Sequence, residues 1–306
     1  MSRERDFIAS LAAFARHPAA RGLRDDAAVL ALGDRDIVLT HDMIVEGVHY
    51  LPDDAPADVA WKLVAVNLSD LAAKGARPIG VLLGYPLAPE AAWDLAFVAG
   101  LEQTLERFEV PLLGGDTVAA PAGPRQLGLT AIGETAPGAA PSRAGARAGD
   151  TLYVTGAIGG AGLGLGVARG GPGAAAWLAA YRRPTPRLAE GRALAPLVHA
   201  MADISDGLLI DGARMAEASG LALRIDLDAV PLAPDAPSGR LARLAAVTSG
   251  DDYELLFAAP PGLTLSQPGM ATVSAVGRFH AGAGLMLVDA GGAVPLPDRL
   301  GYEHDA

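Results

Sequence analysis

Five short acidic motifs carry the residues of this chain whose chemistry points to a functional site. Each places an aspartate beside a glycine or at the end of an apolar run: Asp25-Asp26, Thr40-His41-Asp42, Asn67-Leu68-Ser69-Asp70, Gly114-Gly115-Asp116-Thr117 and Asp203-Ile204-Ser205-Asp206-Gly207. Mg²⁺ prefers oxygen ligands in octahedral geometry, and it usually takes one or two carboxylates together with the phosphates of a substrate. Several such motifs in one chain therefore indicate several bound divalent cations.

The spacing within two of these motifs pairs oxygen ligands. In an extended strand, residues two apart point to the same face of the sheet. Thr40 is therefore expected beside Asp42, and Asp203 beside Ser205.

Two other motifs have an alternative interpretation. Asp70 lies four residues before Lys74 on a predicted helix, and this spacing is also typical of an ordinary surface ion pair. The glycines before Asp116 would let the backbone approach a phosphate and donate amide hydrogens to it. A Gly-Gly-Asp turn is also common in plain loops.

The familiar nucleotide-binding and hydrolytic motifs are incomplete or missing. Residues 156–166 form a glycine-rich segment after a predicted strand, but the acidic residue expected about twenty positions later in a dinucleotide-binding fold is missing. The sequence also has no Gly-x-x-x-x-Gly-Lys-Ser/Thr loop, no protein-kinase signature and no Gly-x-Ser-x-Gly elbow. Any nucleotide must be held in another way, and because lysines are few, metal ions must neutralise much of its charge.

Two single residues have both a functional and a structural interpretation. Arg143, in the segment 141–145, has the planar fork that suits a phosphate, but it also reads as a solvated linker arginine. His49 follows Asp42 by seven residues, and a lone histidine is more often structural than functional.

Two lobes of mixed α and β structure are expected. Helical spacing is clearest over 58–74 and 90–108, a helix should follow Gly207, and an N-terminal surface helix is favoured over a secretory signal. Because strands and helices do not alternate strictly, the pattern indicates an α+β fold. Prolines and glycines cluster over 137–149, which divides the chain into domains 1–145 and 146–306. Strands are predicted over 36–42, 79–85, 110–113, 127–134, 151–155, 221–227, 253–258 and 271–278.

Composition limits the class of protein. Of the 306 residues, 51% are hydrophobic and 19% are charged, and no apolar run reaches the roughly eighteen residues of a membrane span. The net charge of -11 opposes binding to nucleic acid. The absence of cysteine excludes disulfides and thiolate sites, so a cytoplasmic location is expected. Acids attributed to solubility alone are Asp53, Asp54, Glu102 and Glu106.

Taken together, these motifs resemble the thiamine-monophosphate kinase family, in the superfamily of aminoimidazole ribonucleotide synthetase and selenophosphate synthetase. The strings run in the family order over almost the whole chain. They comprise 25–30, 42–50, 65–76, 114–117, 143–145, 203–208 and 249–255.

The resemblance implies a homodimer in which the N-terminal α/β halves pair their mixed sheets into a barrel, with ATP and metals bound between the lobes. It implies phosphorylation of thiamine monophosphate by ATP in direct in-line transfer, with Asp42, Asp116 and Asp206 as catalytic residues. The Mg²⁺ ligands would be Asp26, Thr40, Asp42, Asp70, Asp116, Asp203 and Asp206. ATP would contact Gly115, Asp116, Arg143 and Ser205, and the thiamine side would involve His49, Asp251 and Tyr302.

Three positions depart from the family pattern. His41 stands where a hydroxyl is usual, Asp251 where a glutamate is more common, and Arg24 where a glycine is usual. The missing cysteine argues against a selenophosphate synthetase. Two alternatives stay open, namely a sister-family ATP-dependent synthetase with another acceptor and a non-catalytic protein that binds nucleotide or thiamine phosphate.

Overall fold

Two β-sheets, one in each half of the chain, are joined through a shared central helix. The structure is a computed structural model that describes residues 3–12, 14–88, 90–119, 123–263 and 269–304. The mixed α+β class expected from the sequence is confirmed. None of the helices within the described ranges has the length and apolar character needed to cross a bilayer.

The N-terminal half contains a five-stranded sheet in the order β1-β2-β5-β3-β4. Its neighbouring strands are antiparallel except for β3 and β4, which are parallel. The sheet does not close on itself within the described part of the single chain. In chain order its elements are α1 (Arg3–Ala12), a 3-10 segment (Pro18–Leu23), β1 (Ala28–Leu32), β2 (Arg35–Val45), α2 (Pro56–Ala73), β3 (Arg77–Leu87), α3 (Ala91–Phe108), β4 (Leu112–Ala119) and β5 (Gln126–Thr135).

The C-terminal half contains a seven-stranded sheet in the order β12-β11-β8-β10-β6-β9-β7. Among the strand pairs that the structure describes in this sheet, β8 and β11 are parallel and the others are antiparallel. The elements are β6 (Thr151–Thr155), α4 (Gly160–Ala168), α5 (Ala175–Arg182), α6 (Leu188–Leu194), β7 (Ala200–Asp203), α7 (Leu208–Ala218), β8 (Leu221–Asp226), a 3-10 turn (Leu227–Ala229), α8 (Arg240–Thr248), β9 (Leu255–Ala259), β10 (Val273–Ala281), β11 (Gly284–Asp289) and β12 (Gly292–Val294).

Helix α2 belongs to the cores of both halves. Fourteen of its 18 residues are buried, as expected for a helix covered on all sides. It packs on β2 and β5 along its length, while Ala72 and Ala73 join the apolar cluster of Met201 and Phe257 in the other half. A Cβ at Gly75 would lie 2.5 Å from the Cβ of Ala195, so a glycine is required where the helix end meets the C-terminal half.

Most predicted elements are confirmed, with shifts at their ends. The strand expected over 110–113 begins at Leu112 and continues to Ala119. The strand expected over 253–258 begins at Leu255, because Tyr253 has a φ of 50° and cannot continue a strand. The N-terminal helix forms, with Phe7 and Leu11 exposed.

Candidate active site

Three aspartates from three different elements meet at the junction of the two halves. Asp26 precedes β1, Asp70 lies on α2 and Asp203 ends β7. One oxygen of each carboxylate lies within 4.8 Å of the others. This acid cluster unites residues that are separated by up to 177 positions in the sequence.

Neutral side chains orient these carboxylates. The hydroxyl of Thr40 donates to Asp70, and Ser69 Oγ donates to Asp203 Oδ2 at 2.6 Å. Asn67 Oδ1 accepts the backbone N–H of Asp42 at 2.9 Å. The turn of α2 from residue 67 to residue 70 therefore places the strand that carries Asp42 against the acid cluster.

Burial makes the cluster costly to ionise. Burial raises the pKa of Asp70 and Asp203 well above the usual range, and neighbouring carboxylates raise both further. Burial also raises the pKa of Asp42 to about 6; His41 opposes this shift, and Asp206 and Asp26 add to it. A bound cation would relieve this repulsion, so the donor set fits a hard divalent metal.

The surface ion pair considered for Asp70 and Lys74 is wrong. Lys74 is fully buried, and its Nζ lies 2.5 Å from Asp25 Oδ1 and 2.6 Å from Asp26 Oδ2. It also donates to the carbonyl of Met201 at 3.0 Å. The C-terminal half covers this end of α2, so a position that reads as solvated from helical spacing is interior.

Asp25 is the ionised partner of that lysine. Burial opposes its ionisation, but Lys74 and Arg21 outweigh the effect and lower the pKa of Asp25 to about 2. Arg21 Nη1 lies 2.7 Å from Asp25 Oδ2. The pair Asp25-Asp26 is thus built into the protein interior rather than facing solvent.

Arg143 is not a solvated linker residue. Its guanidinium pairs with Asp26, and its Nε is buried with no hydrogen-bond partner in the described structure. Burial opposes protonation, but Asp26, Asp211 and Asp25 together raise the pKa of Arg143. An unsatisfied donor beside the acid cluster is suited to an incoming anion.

A cleft of about 740 Å³ connects the acid cluster to a second group of predicted residues. Thr40 lies directly behind Asp70, on the same face of β2 as Asp42, as the spacing predicted. The predicted site residues that line the cleft are Asp26, Asp42, His49, Asp70, Arg143, Asp203, Ser205, Asp206, Asp251 and Tyr302.

Gly115 and Asp116 lie outside this cleft, on the edge strand β4. The strand register aligns Asp116 with Gly84, Gly128 and Met43, on the sheet face that α2 does not cover. A Cβ on Gly115 would stand 1.9 Å from the carbonyl oxygen of Leu83. The glycine is therefore required for β4 to approach β3, whatever further role it has.

The second group of cleft residues is aromatic and acidic. His49 Nδ1 accepts the backbone N–H of Val45 at 3.0 Å, so the neutral ring carries its proton on Nε2. Burial, followed by the charge of His304, lowers the pKa of His49. The His304 ring stands 5.4 Å from that of His49 and 4.8 Å from that of Tyr302, between centroids.

The structure shows the contacts of two residues that depart from the family pattern, His41 and Asp251. His41 points away from the acid cluster and bonds to the hydroxyl of Thr130 at 2.9 Å. Asp251 faces the cleft and receives hydrogen bonds from Lys62 at 2.7 Å and from the hydroxyl of Tyr253 at 3.1 Å. The shorter carboxylate is therefore fixed by donors behind it.

The interpretation of Asp54 as a surface acid is wrong. The residue is buried, and its Oδ1 accepts from Arg182 Nε at 2.7 Å. Its Oδ2 accepts from the hydroxyl of Tyr181 at 3.0 Å and from the backbone N–H of Leu51 at 2.8 Å. The carboxylate connects α5 to the loop before α2.

The dinucleotide interpretation of residues 156–166 is not supported. The backbone N–H of Gly159, at the start of α4, donates to Asp252 at 2.9 and 3.0 Å. A carboxylate of the chain itself thus occupies the position that a pyrophosphate would need.

Sequence reasoning missed residues that act behind the cleft. Asp211 accepts the backbone N–H groups of Asp206 and Gly207, and Arg214 pairs with both Asp206 and Asp211. Lys62 is buried on α2 and was also missed. The sequence could have indicated it, because Lys62 is the one lysine or arginine within the largely apolar helix α2.

Comparison with known proteins defines the family. Domain models described as AIR synthase related protein match residues 24–135 for the N-terminal domain and 147–293 for the C-terminal domain. A thiamine-monophosphate kinase of Caulobacter vibrioides is 39% identical over 306 aligned positions, covering 94% of this chain and 86% of that protein. The chain belongs to the thiamine-monophosphate kinase family. Within the family, the Salmonella typhimurium thiamine-monophosphate kinase is 36% identical over 93% of this chain and 92% of its own length.

The structure agrees with this family. A solved structure of AaThiL complexed with AMPPCP and TMP is similar, with a TM-score of 0.79 at 27% identity. The similarity covers 92% of this chain and 91% of that one. The two-sheet fold therefore extends over both proteins almost completely.

Proposed function

We propose that this protein transfers the γ-phosphoryl group of ATP to thiamine monophosphate, forming thiamine diphosphate and ADP. The observation that carries the proposal is one cleft of about 740 Å³ that is lined both by the acid cluster with Arg143 and by His49, Asp251 and Tyr302. A cleft of this volume has room for two phosphate-bearing molecules, and their phosphates could meet beside the carboxylates of the acid cluster. Membership of the thiamine-monophosphate kinase family supports the choice of acceptor.

The metal ligands are proposed to be the acids of the cleft. One oxygen each of Asp26, Asp70 and Asp203 lies within 4.8 Å of the others, and Lys74 Nζ, 2.6 Å from Asp26 Oδ2, balances only part of their charge. Mg²⁺ bound there would neutralise phosphate charge in the transition state. Its ligands would be Asp26, Thr40, Asp42, Asp70, Asp203 and Asp206.

The remaining residues of the cleft are proposed to bind and orient ATP and the acceptor. Arg143 presents an unsatisfied N–H for a phosphate of ATP, and Ser205 lines the same cleft. His49 offers its Nε2 hydrogen, and Asp251 and Tyr302 complete the acceptor side. A phosphate monoester has a second pKa of about 6, so the attacking oxygen is already largely ionised at neutral pH and needs no strong base.

The transfer is proposed to be direct. An acceptor phosphate oxygen forms a bond to the γ-phosphorus, while the bond between that phosphorus and the β,γ-bridging oxygen breaks. Both electrons of the breaking bond leave with ADP. No protein nucleophile is required, which suits a cleft that is rich in aspartate.

A homodimer is proposed because the N-terminal sheet has an uncovered apolar face and edge. An apolar surface of this extent is a typical protein contact site. A second copy on it would complete a barrel and bring Asp116 to an interface, where its predicted role as metal ligand and catalytic residue is retained. The exposed apolar residues are Leu32, Met43, Leu82, Leu87, Leu112, Leu113 and Val118. The boundary near residue 145 and a cytoplasmic location stay predictions.

Phosphorus NMR tests the reaction. Purified protein is incubated with ATP, Mg²⁺ and either thiamine monophosphate or thiamine. Thiamine diphosphate and ADP are expected with the monophosphate alone. Intact ATP with both acceptors would reject the kinase assignment, and ATP consumption without thiamine diphosphate would favour a sister-family synthetase.

A pair of variants assigns the reaction to this cleft. Asp42→Asn should lower turnover by at least about 100-fold, because charge stabilisation by the cleft is lost. Asp53→Asn is the matched control, since Asp53 is exposed and lies outside the cleft. Equal turnover of the two folded variants would place the chemistry elsewhere.

A further inference from the structure

The sequence contains only two lysines, Lys62 and Lys74, against 22 arginines. Both lysines are buried, with exposed fractions of 2% and 0%. All the other permanently charged basic side chains are arginines, so the side-chain ammonium groups of this chain lie at two buried positions. Lys74 contacts Asp26 of the acid cluster, and Lys62 contacts His49 and Asp251, which line the cleft.

The ammonium of Lys62 joins the two halves of the chain. Its Nζ donates to the carbonyl oxygen of His49 at 2.8 Å and to Asp251 Oδ2 at 2.7 Å. It also lies 4.4 Å from the centroid of the Tyr181 ring. Two acceptors and a ring face satisfy an ammonium group, which has three hydrogens to donate.

The contacted loop needs such an anchor. Asp251 and Tyr253 have φ values of 63° and 50°, a conformation that is unfavourable for non-glycine residues and persists where the surroundings hold it. The loop is fixed by backbone bonds from Asp251 to Ser205 and from Tyr253 to Ile204, at 2.7 and 2.8 Å. The carboxylate of Asp251 is held by Lys62 and by the hydroxyl of Tyr253.

Lys62 does not line the cleft, whereas His49 and Asp251 do. It therefore acts through them. We propose that Lys62 is a positioning residue for the acceptor: its ammonium sets the distance between His49 on one half and Asp251 on the other, and so shapes the site for the thiamine part of thiamine monophosphate. This inference rests on the proposed function.

Lysine suits this position better than arginine. A planar guanidinium is larger and directs its hydrogens in a fixed fork, whereas the acceptors here converge on a single nitrogen. Lys62→Met keeps the length of the apolar stem and removes the charge. It leaves the Asp251 carboxylate without its partner and should loosen the loop.

The effect should be confined to the acceptor. The KM for thiamine monophosphate should rise by about tenfold or more in Lys62→Met, as expected when one partner of a buried ion pair is removed. The KM for ATP should stay within about twofold, because Lys62 contacts His49 and Asp251 and none of the side chains proposed to bind ATP. Asp251→Asn should give a similar shift, and the double variant should be little worse than either single one.

Arg182→Met is the matched control. Arg182 lines the same small cavity as Lys62 and joins the same two halves through Asp54, without contacting Asp251. A general loosening of the halves would raise the KM for thiamine monophosphate in this variant too, and that outcome would overturn the proposal. Should Lys62→Met fail to fold, Lys62→Arg decides, since it keeps the buried charge; an unchanged KM for the acceptor would then overturn the proposal.

Calorimetric binding of thiamine monophosphate in the absence of ATP separates this inference from the proposed function. Wild-type protein is expected to bind it, and Lys62→Met to bind it about tenfold more weakly, equivalent to roughly 1.4 kcal/mol. Equal binding by both proteins would remove the role of Lys62 and leave the kinase assignment intact. Failure of wild-type protein both to bind and to phosphorylate thiamine monophosphate would overturn both proposals.

Discussion

At the scale of single residues, Asp26 is held by two cations of different character. Lys74 is buried and is also bonded to the carbonyl of Met201, so it is fixed. Arg143 lines the cleft and has an unsatisfied Nε. The carboxylate thus has one permanent counter-ion and one that an incoming phosphate can draw away.

Lys74→Met should destabilise the protein by about 3 kcal/mol or more, because it leaves two buried carboxylates without their shared cation. Urea unfolding measures the loss. Excess Mg²⁺ should restore more stability to this variant than to wild type, because the acid cluster becomes more negative. Equal stability of the two proteins would show that the arginines alone balance Asp25 and Asp26.

The raised pKa of Asp42 predicts a pH dependence of stability. The pKa of Asp42 is raised from the ordinary value of 3.8 to about 6 in the folded protein, so the folded state binds a proton at this carboxylate more tightly than the unfolded state does. The contribution to stability is therefore present below about pH 4 and lost as the pH rises through about 6. In metal-free protein, the stability of wild type relative to Asp42→Asn should fall by roughly 2 kcal/mol across this range.

Thermal unfolding at several pH values measures that difference. The comparison with Asp42→Asn cancels the opposite trend expected from His49, whose pKa is lowered. Asp25 has its pKa lowered from 3.8 to about 2, so it changes stability mainly below about pH 4, and the comparison cancels what remains above that. A difference that does not change with pH would mean that the pKa of Asp42 is the same in the folded and unfolded states. Saturating Mg²⁺, which favours the ionised carboxylate, should abolish the fall in wild type.

Part of the site could be predicted from local sequence. The common face of Thr40 and Asp42 follows from strand periodicity, and the structure confirms it. The roles of Lys62 and Lys74 could not be predicted in the same way. A lysine in an apolar helix normally extends to solvent, and only the packing of the C-terminal half over α2 makes these two interior.

At the scale of elements, the short helix α4 depends on its first residues. The N–H of Gly159 is satisfied by Asp252, from the loop before β9. Asp252→Ala should destabilise the protein by about 1 to 2 kcal/mol, as for loss of a helix cap. Thermal unfolding measures it, and Asp53→Ala, at an exposed position without a positive φ, is the control. An unchanged melting temperature would show that the bond contributes nothing net.

The longest elements were predictable and the shortest were not. Helix α2 and strands β2, β3 and β5 have enough residues to display their periods, and their predicted positions are confirmed within a few residues. Strands β7 and β12 have 4 and 3 residues, too few for a pattern to emerge. They form because longer neighbours offer a partner.

At the scale of the whole molecule, Asp116 is separated from the acids of the cleft within a single chain. Strands β5 and β3 separate it from β2, and it lies on the opposite face of the sheet from Asp42. No local pattern contains this information, since it depends on strand order. The sequence motif therefore grouped Asp116 with the cleft acids, while the fold separates them within one chain.

Subunit mixing tests whether Asp116 acts across the proposed dimer interface. Asp42→Asn and Asp116→Asn proteins, each nearly inactive alone, are unfolded together and refolded. If each cleft takes Asp116 from the partner, half of the dimers gain one intact cleft, and about a quarter of the wild-type rate should return. No recovery in verified mixed dimers would mean that Asp116 acts with the acids of its own chain.

Because both lysines are buried, chemical reaction at their side chains can be used to detect local opening of the folded protein. Reagents that acylate amines, and proteases that cleave after lysine, find neither Lys62 nor Lys74 at the surface of the folded chain. Their reaction at these two positions requires the halves to part or the chain to unfold. Lys62 would report release of the loop that carries Asp251, and Lys74 would report release of the Asp25-Asp26 segment. The order in which the two become reactive would show which side of the cleft opens first.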